Sequence, residues 1–121
     1  MEIVVQKYGG TSVADAQRVQ AVAKRAIAAK EQGYGVVIVV SAQGDTTDEL
    51  IQRALQITDE PPLRELDMLL TTGEQMSSAL LAMAINAAGT EAISLTGVQA
   101  GIRTDSLHTK AKIKSIDTTR V

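Results

Sequence analysis

A lysine, two glycines and two hydroxyl residues follow one another closely in Lys7-Tyr8-Gly9-Gly10-Thr11-Ser12, directly after an apolar run. Bare backbone at Gly9 and Gly10 allows close approach of a ligand, and successive N–H groups there form a nest for an anion. A helix starting just after them adds partial positive charge, and Lys7 adds a full one. That combination suits a phosphate. The pattern is neither of the two common phosphate fingerprints. GxxxxGK[ST] places its lysine after the glycines, and GxGxxG needs glycines absent here. A tight strand-to-helix turn beside a solvated lysine explains the same residues without chemistry.

Two further stretches bear on the choice. Val39-Val40-Ser41-Ala42-Gln43-Gly44-Asp45-Thr46-Thr47 ends another apolar run in hydroxyls and a glycine. Met68-Leu69-Leu70-Thr71-Thr72-Gly73-Glu74 sets a carboxylate inside an apolar helix pattern. Glu74 reads equally well as a surface charge or as a ligand group, because Gly73 marks a bend or a close contact.

The elements that must position these groups follow from periodicity. Residues 2–6 and 34–42 are short and β-branched, as in strands covered on both faces. Between them, Thr11 or Ser12 offers a helix cap, Asp15 falls in the first turn, and Val19, Val22, Ala23, Ala26, Ile27 and Lys30 form one stripe ending at Gly33. Thr46 or Thr47 caps a second helix with Leu50, Ile51, Ala54 and Leu55 inward, broken at Pro61-Pro62. A long helix is expected from 63 to 88, with Leu66, Leu69, Leu70, Gly73, Leu80, Met83, Ala84 and Ala87 on one side and Gly89 closing it. Residues 91–97 read as a third strand, and Ile113 sits in a further short one. This order predicts an α/β fold with a mainly parallel sheet. Ligands then gather beyond the carboxyl ends of the strands, where Lys7 and Ser41 both lie.

Composition narrows the classes. The chain has 121 residues, 45% hydrophobic, with no Phe, Trp or Cys, so aliphatic residues and alanine must build the core. Without cysteine there is no disulfide framework or thiolate metal site, which fits a cytoplasmic protein. Met1 leads straight into a strand-like run with no basic flank, so no secretory signal is expected. No apolar stretch approaches the roughly 20 residues of a membrane span. Residues 1–102 hold 7 of the 12 Lys+Arg and 12 of the 14 Asp+Glu, which leaves the tail basic. Its charges are dispersed and no aromatic residues interleave them, which argues against a nucleic-acid partner. Asp117-Thr118-Thr119 resembles a helix cap just before the last residue, Val121, and suggests a fragment.

Four blocks occur in one order: Lys7-Tyr-Gly-Gly-Thr-Ser-Val, Val40-Ser-Ala-x-Gly-x-Thr-Thr-Asp-Glu-Leu, Arg64-Glu-Leu-Asp-Met-Leu-Leu-x-Thr-Gly-Glu and Thr96-Gly-x-Gln-Ala-Gly-Ile-x-Thr. From Val4 to about Ile116 they resemble the aspartate kinase (aspartokinase) family. The resemblance implies the amino acid kinase fold, a mainly parallel sheet between helical layers (carbamate kinase-like), present here only in part. Residues 1–121 would be the N-terminal portion of such a domain. The reaction implied is transfer of the ATP γ-phosphoryl to the side-chain carboxylate of L-aspartate, the first step towards lysine, threonine and methionine.

Transferred residue by residue, the resemblance makes Lys7 the catalytic cation on the moving phosphoryl. Tyr8, Gly9, Gly10 and Ser41 belong to the ATP-phosphate edge, with N–H groups of Gly9 and Gly10 donating. Ser41 and Thr47 meet the aspartate, and Glu74 faces its amino group. ATP enters with Mg held mainly through the nucleotide, and no residue is assigned to a metal. A side-chain carboxyl with a pKa of about 3.9 is already ionised at neutral pH, so no general base is needed. His108 is read as structural. Gln43 stands where the family commonly has methionine, and Ala14 where glycine is frequent. The Gly-Arg-Gly-Gly-Ser-Asp loop, the nucleotide-base pocket and the regulatory ACT domains of the family are missing, and Arg103 and Asp105 belong to a different block. The 121 residues are therefore expected to be inactive alone. Alternatives are a truncated aspartate- or phosphate-binding module, an interaction partner that pairs with itself or with the missing half through open sheet edges, and a kinase of another small acid.

Overall fold

A computed structural model describes residues 1–121. Its elements are β1 (Ile3–Tyr8), a single 3₁₀ turn (Gly10–Val13), α1 (Ala16–Glu31), β2 (Gly35–Val40), α2 (Thr46–Ile57), α3 (Leu63–Ala87), β3 (Ile102–Thr104) and β4 (Ile113–Ile116). β1 and β2 pair in parallel, with Ile3 opposite Gly35 and Tyr8 opposite Val40. β3 and β4 form a separate antiparallel pair.

The register divides the parallel pair into two faces. Tyr8, Val36, Ile38 and Val40 pack on a core of Val13, Val19, Val22, Ala23 and Ala26 from the first turn and α1, and of Leu81 and Ile85 from α3. On the other face Ile3 and Val5 are 63% exposed and Val39 48%. The sheet thus has one helical layer, formed by α1 and α3, while α2 packs against α3. This is part of an α/β sandwich, in keeping with the expected fold class.

Several local expectations are corrected. Thr11 and Ser12 do not cap α1: both lie in the 3₁₀ turn, where the Ser12 amide donates to the Gly9 carbonyl at 3.1 Å. Asp15 is the cap, extended at φ −145° and accepting from the Arg18 amide at 2.9 Å. Thr46 and Thr47 fall inside the first turn of α2, after Asp45 at its N-cap. The buried line on α3 is Gly73, Ser77, Leu81 and Ile85, whereas Leu80 is exposed and Met83 is 64% exposed. Small residues let α3 approach its neighbours closely, and the Ser77 hydroxyl is satisfied within the helix by the Gly73 carbonyl at 3.3 Å.

Residues 91–97 form no strand. Side chains take up the backbone groups a ladder would use. Asn86 accepts from the Ala92 amide at 2.9 Å and donates to the Ala92 carbonyl at 3.1 Å. Thr96 and Gln99 exchange side-chain and amide bonds across a turn. The strand expected at Ile113 is present as β4, paired with a β3 that periodicity did not show.

The hairpin closes on Gly101, whose carbonyl accepts from the Asp117 amide at 2.9 Å. The Asp117 carboxyl is held below its ordinary range by hydrogen bonds from the Thr119 hydroxyl and amide. Gly101 has φ +91°, and a Cβ there would collide with the Asp117 carbonyl oxygen. Gly101→Ala therefore combines a left-handed conformation with a backbone clash. We expect it to unpair β3 from β4, read as fast exchange of the Asp117 amide that bonds to Gly101 across the hairpin, with Val22 and Leu81 in the core unaffected. Retained protection at Asp117 would contradict this.

Candidate functional site

The parallel pairing brings the carboxyl ends of β1 and β2 to one edge. Lys7 sits opposite Val39 and Tyr8 opposite Val40, and the Ser41 amide donates to the Tyr8 carbonyl at 3.2 Å. Lys7 is exposed and shares the uncovered sheet face with Val5 and Val39. It forms no salt bridge, so its charge is uncompensated. Tyr8 points the other way, with its hydroxyl donating to Gln6 Oε1 at 3.0 Å.

The two loops beyond the strands are laced together. The Gly44 amide donates to the Gly10 carbonyl at 3.0 Å, and Gln43 Nε2 donates to the Val13 carbonyl at 2.9 Å. Gln43 thus has a structural task at the position where the sequence departs from the methionine common in the family it resembles. A Cβ on Gly10 would lie 2.6 Å from the Ala42 carbonyl oxygen and 3.3 Å from the Gly44 nitrogen. Packing of the two loops accounts for Gly10. It does not account for Gly9, where a Cβ would meet nothing within 4 Å and φ is an ordinary −75°.

α3 enters the same neighbourhood through Gly73, which is buried. A Cβ there would be 3.0 Å from the Ala42 Cβ and 3.4 Å from Thr46 Cγ2. The glycine inside the apolar helix therefore marks a close contact with the second loop. Thr47, half-buried, follows Thr46 in the first turn of α2. Glu74 lies next to Gly73 on α3, exposed and in no hydrogen bond or salt bridge with another side chain. It lines a groove of about 370 Å³ with Asp67, Leu70, Thr71, Thr109 and Ala111.

The structure thus joins Tyr8, Gly10 and Ser41 by backbone contacts and adds Gly73 from α3. It puts Glu74 on the adjoining groove, bounded by the β3–β4 hairpin. Sequence reasoning missed that hairpin wall: Asp67 accepts from the Thr109 amide at 3.1 and 3.0 Å and lies 3.1 Å from His108 Nδ1. Partners 41 and 42 positions apart leave no periodic signal. No group of three or more Asp, Glu or His side chains gathers as a metal site would require.

The amino acid kinase family model matches residues 2–121. The chain belongs to the amino acid kinase family. As a member, it is 56% identical over 121 residues to the aspartokinase of Geobacillus stearothermophilus, a match covering 100% of this chain and 30% of that protein. Aspartokinase 2 of Bacillus subtilis is 53% identical over 118 residues, covering 98% of this chain and 29% of the relative. Among solved structures, the aspartate kinase from Synechocystis superposes with a TM-score of 0.79 at 52% identity, over 82% of this chain and 17% of that one. This kinase-family chain therefore spans less than a third of the length of these relatives.

Proposed function

We propose that this chain supplies the phosphoryl-transfer edge of an aspartate kinase. The observation that carries the proposal is the joined edge of the parallel pair, where Lys7 stands among the last paired residues of β1 and Gly9, Gly10 and Ser41 follow just beyond adjacent strand ends. The 56% identity to an aspartokinase over every residue supports the choice of aspartate.

In this reading a side-chain carboxylate oxygen of aspartate attacks the γ-phosphorus of ATP. A new P–O bond forms, the bond to the β,γ-bridging oxygen breaks, and its electron pair leaves with ADP. The acceptor is already an anion at neutral pH, so the chain's work is positioning and charge neutralisation. Lys7 offsets the negative charge on the equatorial phosphoryl oxygens. Gly9, where a Cβ would meet only open space, lets the phosphate reach backbone N–H groups. Ser41 and Thr47 hold the acceptor by their hydroxyls, and Glu74 faces its ammonium group. Mg would be held mainly through the phosphates of the nucleotide, where it would neutralise charge.

The test is aspartate-dependent ADP release by a chimera that joins this chain to the remainder of the Geobacillus stearothermophilus aspartokinase. Turnover with L-aspartate and none with L-glutamate is expected. A chimera that folds but releases no ADP with aspartate would overturn the reading. The bare apolar face at Ile3, Val5 and Val39 supports a second reading for the 121 residues by themselves, as a module that docks another chain without catalysis.

A further inference from the structure

The β3–β4 hairpin is held to the helices at one point. Its loop is organised internally by Asp105, which accepts from the Leu107 amide at 3.2 Å and the Lys112 amide at 3.3 Å. Beyond that, every hydrogen bond from residues 102–121 to a helix ends on the Asp67 carboxylate. Thr109 presents its amide there with φ +64°, a conformation uncommon for a β-branched residue. His108 adds Nδ1 at 3.1 Å, donating when that nitrogen holds its proton.

The pin stands at the end of the groove that Glu74 lines. Asp67, Leu70, Thr71 and Glu74 form its α3 wall, and Thr109 and Ala111 form the opposite one. A carboxylate meeting an ammonium ion is attracted more strongly where a second wall displaces water than on an open surface. We propose that Asp67 is a positioning residue for substrate selection: by pinning His108 and Thr109 it sets the hairpin wall of the groove and so lets Glu74 discriminate an α-amino acid from the matching dicarboxylate. This inference rests on the reading that Glu74 faces the amino group.

The experiment uses the 121-residue chain as wild type, Asp67→Ala and Asp67→Asn. Amide exchange at Thr109 reports the pin. Titration with L-aspartate and with succinate, which lacks the amino group, reports selection. The wild type is expected to protect Thr109 and to prefer L-aspartate by about tenfold, in line with a charge-assisted contact. Asp67→Ala should accelerate Thr109 exchange at least about tenfold and bring the preference close to unity, while Val22 and Leu81 exchange as before. Asp67→Asn keeps one acceptor oxygen and should fall between the two, which also guards against a misfolded alanine variant.

Fast Thr109 exchange with the aspartate preference intact would reduce Asp67 to a structural tie and overturn the inference alone. Unchanged Thr109 protection would do so as well. A wild-type chain with no preference for L-aspartate over succinate would remove the role of Glu74, and the inference with it.

Discussion

In the completed chimera, Lys7→Ala is expected to lower kcat by about 10²–10³-fold, the usual scale for removing one preorganised group that stabilises transition-state charge. kcat/KM for ATP should fall by a similar factor, because the contact strengthens only as charge develops on the phosphoryl oxygens. Stability should hardly change. Lys7 is exposed, sits on the uncovered face of the sheet and forms no salt bridge. Surface substitutions of that kind usually stay within about 0.5 kcal/mol. The measurement is steady-state ADP release beside a urea melt. A kcat within twofold of the parent would show that the lysine is only a solvated charge after a turn. A shifted melt with proportionate loss of activity would assign it to the fold instead.

The second large effect separates the adjacent glycines. Gly→Ala at a compatible position stabilises a protein by about 0.4–1 kcal/mol through the unfolded state. At Gly10 the added carbon would stand 2.6 Å from the Ala42 carbonyl oxygen, a backbone atom in the loop laced to it. Overpacking of this sort costs about 1–3 kcal/mol, so the clash outweighs the entropic gain. Gly10→Ala should lower the urea midpoint and disturb the Gly44 amide. At Gly9 the same carbon meets nothing within 4 Å. Gly9→Ala should leave the melt unchanged or slightly raised and still cost the chimera at least about tenfold in kcat/KM for ATP, by obstructing backbone approach to the phosphates. Equal melts for the two variants would show that the loops are not packed as described. Full activity in Gly9→Ala would show that no ligand comes close to that backbone.

Much of the candidate site was legible because its signals are local. A cation and two glycines after an apolar run, hydroxyls after the next run, and a glycine beside a glutamate in a helix each span only a few residues. The strand-to-helix order then placed Lys7 and Ser41 at one edge, as the register of β1 and β2 bears out. Other features were hidden by local competition. Asn86 satisfies both backbone groups of Ala92, so an apolar run that reads as a strand remains unpaired. On α3 the expected face included Gly73, but the large side chains of Leu80 and Met83 drew the rest of it away from Ser77, Leu81 and Ile85, which are buried. Gly73 and Ser77 sit inside because small side chains permit the close approach of the second loop and neighbouring helix.

By itself the sequence determined the βαβ order, the sheet edge that Lys7 and Ser41 share, and the resemblance that its four blocks share with aspartokinases. Those properties depend on residue type and on spacing along the chain. Only the tertiary structure decided that Gly10 is held by packing while Gly9 is not, and that Gln43 laces the two loops. It also decided that Asp67 reaches 42 positions ahead to fix the hairpin beside Glu74. Such contacts arise between segments brought together by folding. Their energies depend on distances of a few ångströms across space, and no periodicity along the chain encodes them.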